Sequence, residues 1–212
     1  MGKYQKGILG SFQGKVGTVV GSTWKGMEIM KSKNKKSTKP PTQKQLVQRV
    51  KFAFLENFLS PIAELLKLTF KDTAINMTEI NSAFKYNFKN AITGVYPAFL
   101  LDYTKVLVSK GQLLNAINPT ATAAGGGIVK VTWTDNSGIA MANATDKCII
   151  VVYCADLKQF VHNDGGAARN AGADSINAGN FTGKTVETWV AFITADHKEV
   201  ATSIFTGQLI VT

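Results

Sequence analysis

Histidine and cysteine are nearly missing from this chain, two of each in 212 residues, and that narrows its chemistry before any motif is sought. Cys148 and Cys154 stand six residues apart, about 20 Å along a strand and beyond disulfide reach, so each reads as a small buried hydrophobe. No CxxC occurs and His162 and His197 are isolated, so spacing offers no metal site and no cofactor is expected. Neither histidine has the flanking signature of a nucleophile triad. Asp156, Asp164, Asp174 and Asp196 could form a carboxylate set for calcium or glycosidase chemistry, but without a DxDxDG loop they read as loop decoration. The expectation is a protein that is not an enzyme.

Long apolar runs are lacking too. Nothing approaches the roughly 18–20 apolar residues of a membrane span. The first residues are basic with no apolar stretch behind them, so no secretory signal is read. Synthesis in the cytoplasm is expected, with a final location outside the cell or in a virion left open. Lys6 stands where a myristoylation signal needs a hydroxyl. Acids are scarce at one end only. Residues 1–51 hold twelve Lys and Arg against the single acid Glu28, a net of +11, while the whole chain carries +10. The basic character belongs to an arm, and the remainder is nearly neutral.

What is present fits a folded protein. Apolar residues make up 45% and charged residues 18%, enough for a sizeable core. Residues 7–30 interleave glycine with β-branched and aromatic residues, Val16, Val19, Val20 and Trp24 among them. The spacing is neither a dinucleotide fingerprint nor a phosphate-binding loop. Glycine within strands marks a bulge or a close backbone approach, so one or two short strands are expected to lie against the body or a neighbouring subunit. A lysine cluster follows: Lys31, Lys33, Lys35, Lys36 and Lys39, continued by Lys44 and Arg49. It contains no interleaved aromatics and one arginine, so it would support only non-specific binding to nucleic acid.

After Pro40-Pro41, Thr42 and Gln45 form a capping box for a first helix. Leu46, Val50, Phe54, Phe58 and Ile62 recur every four residues as its apolar stripe, and Ser60-Pro61 predicts a break. Asn76 with Glu79 predicts a second helix through Ile92, closed by Gly94. From residue 102 the pattern turns to short strands at 103–108, 128–134, 147–154, 159–161, 175–181, 185–194 and 202–211, separated by turns rich in Gly, Asn and Asp. About seven strands at this spacing predict a sandwich of the immunoglobulin or fibronectin type, with Trp133 and Trp189 in its core.

Three runs carry a resemblance: residues 14–26 (GKVGTVVGSTWKG), 41–52 (PTQKQLVQRVKF) and 90–97 (NAITGVYP). They resemble an uncharacterised family of chains of about this length, common in Bacteroidota. The likeness covers most of the chain, weakening towards its end, and implies a lineage without an assigned activity.

The reading is therefore α+β: a basic glycine-rich β arm over residues 1–41, two helices over 42–101 and an Ig-like sandwich over 102–212. The leading function is a structural subunit that self-assembles into a filament, surface appendage or phage-type particle. Residues 16–24 would add strands to a neighbour's sheet, with Val16, Gly17, Val19, Val20, Gly21 and Trp24 at the interface. Its partner would be itself. The alternatives are a nucleic-acid-binding or packaging protein using residues 31–51, and a carbohydrate- or receptor-binding module using loops near 163–172.

Overall fold

A computed structural model describes residues 2–4, 10–24, 26–35 and 38–212. The chain forms two compact units, Met1–Thr42 and Gln43–Thr212.

The first unit is an antiparallel meander of β1 (Lys3–Tyr4), β2 (Phe12–Val16), β3 (Val19–Trp24) and β4 (Met27–Ser32), paired in chain order. One or two strands were expected here; the described residues form four. Gly17 (φ +58) opens the two-residue connection from β2 to β3, a corner that favours glycine. At Gly21 a Cβ would run into the Phe12 carbonyl oxygen, so the glycine admits a backbone of its own unit.

The second unit begins with α1 (Gln43–Leu59), directly after Thr42. A 3-10 turn at Ser60–Ile62, with Pro61 near its start, separates α1 from α2 (Ala63–Thr69), as the proline predicts. The apolar stripe of α1 is buried only towards its end, at Phe58 and on into Ile62, while Val50 is exposed. For α3 (Glu79–Asn90) the cap differs from expectation. Asn76 sits outside the helix at φ +57, and the Thr78 hydroxyl accepts from the Asn81 N–H at 3.2 Å. The helix also stops earlier, since Ile92–Val95 pairs as β5 with β6 (Ala98–Leu101) and Gly94 belongs to that hairpin.

The remaining strands are β7 (Ile117–Gly125), β8 (Ile128–Thr134), β9 (Lys147–Cys154), β10 (Gln159–His162), β11 (Ala173–Asn177), β12 (Thr185–Ile193) and β13 (Ile204–Ile210). They stack as a three-stranded sheet, β11-β8-β7, on a four-stranded sheet, β10-β9-β12-β13, a sandwich of the expected immunoglobulin/fibronectin kind. Two differences from expectation appear. Residues 103–108, expected as a strand, begin with a 3-10 turn at Tyr103–Lys105, and β7 forms where no strand was expected, taking in Pro119 where the register shifts between Ile117 and Thr120 on an edge strand that tolerates it.

The four-stranded sheet is buried on both faces. Cys148, Ile150, Val152 and Cys154 of β9 point into the sandwich, while Ile149, Val151 and Tyr153 point to a second core built with Leu55, Phe58, Ile62, Leu66 and Phe70 of the helical region. The helices thus form a third layer. Both expected core tryptophans are buried, but in different cores: Trp133 between the sheets, Trp189 under the helices. Both cysteines are free and buried, and burial pushes the Cys148 thiol well up.

Candidate functional site

The meander has very little interior. Phe12 is the one large apolar side chain buried among its described residues, whereas Val16, Trp24, Met27, Ile29 and Met30 are exposed. Register sorts them by face, because opposed residues project to the same side. Trp24 pairs with Met27, Ser22 with Ile29, and Val20 with both Lys31 and Lys15, so one face carries Val20, Trp24, Met27 and Ile29 bordered by Lys15 and Lys31. Val19 pairs with Val16 and Gly21 with Met30 on the other. On the first of these faces Trp24 is 45% and Met27 59% exposed.

The expectation that residues 16–24 add to another sheet needs correction. β3 has β2 on one side and β4 on the other, so its backbone groups are already engaged. Of the sheet's two edge strands, β1 and β4, the longer is β4. Every residue of that strand is exposed, and its outer N–H and C=O groups face no other strand among the described residues.

The cationic residues divide between the units. Lys31 is the penultimate residue of β4, and Lys33 follows the strand, its N–H donating to the Thr18 carbonyl at 2.7 Å. Lys33 and Lys35 then border a shallow recess with Thr18 and Asn34. Lys39 is exposed further along, and Lys36 lies outside the described residues. Lys44 and Arg49 are exposed on α1 of the second unit, five residues apart and so on different sides of the helix.

The carboxylates once weighed for catalysis have local uses. Asp156 pairs with Lys184 at 3.6 Å, and Asp174 accepts from the Ala167 N–H and the Asn163 amide. Asp196 accepts from the Thr194 hydroxyl and pairs with Lys198, which hold its carboxyl down to about 2. Burial lowers the pKa of His162, with Asp164 working against it.

A buried polar centre had no signal in the sequence. Arg169 is fully buried, its guanidinium 4.2 Å above the Phe192 ring. Nε donates to Asp146 at 3.1 Å, Nη1 to Asn136 at 2.8 Å and Nη2 to the Leu114 carbonyl at 2.8 Å. Trp133 Nε1 donates to the Arg169 carbonyl at 2.7 Å. Each guanidinium nitrogen therefore has a partner, the condition under which a buried charge is tolerable. The centre ties four separate loops to both sheets, and its role is to hold that end of the sandwich together.

No curated protein matches the chain. Among solved structures, the fibronectin type III domain of the human collagen α-1(XX) chain is similar at 10% identity over 49% of this chain and 89% of that one, with a TM-score of 0.34. Residues 11–207 match the family model described as a family of unknown function, DUF6266, and the chain belongs to that family.

Proposed function

We propose that this protein is a non-enzymatic structural subunit that self-assembles through its N-terminal meander. The observation that carries the reading is the meander's sparse interior: among its described residues, one large apolar side chain is buried against five exposed. A sheet of this size needs an apolar face covered to be stable, and units near forty residues usually gain that from a partner or a cross-link. A second copy supplies the missing half-core, with Trp24, Met27 and Ile29 as its centre. β4 adds the directional part, by pairing its free edge with a strand of the neighbour. Assembly could end in a filament, an appendage or a particle, according to whether the operation closes.

The test is mass in solution by light scattering with negative-stain imaging. The full chain should form large regular assemblies, and a Trp24→Lys/Met27→Lys variant should be monomeric with its circular dichroism unchanged. A full chain that is monomeric at every concentration refutes the reading. Exposed Lys31, Lys33 and Lys35 favour a second reading, non-specific binding of nucleic acid. That binding should weaken steeply between low and physiological salt.

A further inference from the structure

Within the second unit, α1, β6 and the end of β9 enclose a cleft of about 240 Å³. Phe54 and Phe58 of α1 and Phe99 of β6 give it aromatic walls, and Tyr103, Tyr153 and Lys158 bring polar groups to it. Tyr153 is firmly placed. Its ring meets Phe58 edge-on at 4.9 Å and lies 4.4 Å from Phe160. The residue is 6% exposed, yet among the described residues its hydroxyl has no hydrogen-bond partner. Nor is that oxygen sealed in the core: among the described residues the buried, unpartnered side-chain atom is Trp189 Nε1. The hydroxyl therefore keeps its small accessible area on the cleft. A buried tyrosine hydroxyl normally finds a partner, so this one is left for something that enters.

Lys158 lies at the same cleft, held at φ +54 in the turn after β9. It forms no ion pair among the described residues, and the nearby Asp156 is committed to Lys184. Burial raises the Tyr153 phenol to about 12, so at neutral pH it keeps its proton and can donate. Donors and a cation beside aromatic rings select an acceptor of negative charge on a flat apolar body.

We propose that the cleft binds a small aromatic carboxylate, its ring among Phe54, Phe58 and Phe99 and its carboxylate on the Tyr153 hydroxyl and the Lys158 ammonium. The volume suits one ring with a short side chain and is below that of a drug-sized pocket. Charge argues against the arm of a second copy as occupant, since residues 1–51 carry +11 and would face Lys158. The inference is independent of self-assembly.

The experiment is a titration of the isotope-labelled full chain with phenylacetate, read by NMR, with phenylacetamide as the neutral counterpart. Saturable shifts should appear at Phe58, Tyr103, Tyr153 and Lys158, with the amide binding about tenfold more weakly. Tyr153→Phe keeps the ring, Lys158→Gln changes an exposed side chain, and each should weaken phenylacetate by roughly three- to tenfold at an unchanged unfolding midpoint. The proposal is overturned by shifts that fail to saturate by about 10 mM, by equal affinity for acid and amide, or by variants without effect. It is also overturned if the cleft resonances move with protein concentration alone, which would put a second copy there.

Discussion

The two units of this chain meet the same difficulty, burying a β-sheet, with opposite results. In the body the central strands β9 and β12 have no solvent face: one side fills the sandwich and the other is roofed by helices. In the meander, β4 is exposed along its whole length and β3 has one buried residue, Gly21, which adds no side chain to a core. Among its described residues the meander has the strands and turns of a sheet but buries one apolar side chain, Phe12. Under the proposed reading a second copy supplies the missing cover, and the contrast between the units is what makes assembly the leading reading.

That contrast can be broken at several points. The largest effect should come from the polar centre of the body. Arg169→Met leaves Asp146 buried without its partner and should cost about 3–5 kcal/mol in denaturant unfolding. Next come two neighbours on β9 that face opposite ways. Ile149→Ala opens a cavity under the helices and Ile150→Ala one inside the sandwich, and each should cost roughly 2–5 kcal/mol. If one of the pair is silent, the sheet is not buried on both faces in the way described. Smaller, and opposite in sign, is Glu187→Gln. Burial holds the Glu187 carboxyl above its ordinary value, against the Gln208 amide that donates to it at 2.7 Å. The folded state then keeps a proton that the unfolded chain has released. Stability is therefore greatest below the unfolded value of about 4.3 and falls as pH rises through the folded one. Glu187→Gln should flatten that fall and raise the unfolding midpoint at pH 7. Smallest is Met27→Ala on β4, which should move the body's unfolding by less than about 0.5 kcal/mol while weakening association.

The body was more legible in the sequence than the meander, for physical reasons. Residues 148–154 and 189–193 are unbroken apolar runs, the mark of strands buried on both sides. Such a run names no face, however, so Trp133 and Trp189 looked like members of one core when they belong to two. β7 escaped notice because its alternation is written in threonine and alanine and interrupted by Pro119. The true cap of α3, Thr78, was hidden by the better spacing of Asn76 to Glu79. Over residues 7–30, six glycines dilute the period-two pattern of strands, and four strands read as one or two. Arg169 could not have been foreseen: its partners at 114, 136 and 146 are brought to it by the fold, and a single arginine beside a loop has no period. Tyr153 was legible as a strand residue but not as a cleft residue, since the wall opposite it comes from α1, about a hundred residues earlier.

The account is tested most directly by amide hydrogen exchange along Met27–Ser32, compared with β9 and β12, at low and high protein concentration. Completion of the meander by a second copy predicts that protection in β4 rises steeply with concentration while protection in β9 and β12 stays constant. Protection in β4 that is the same at every concentration would contradict it.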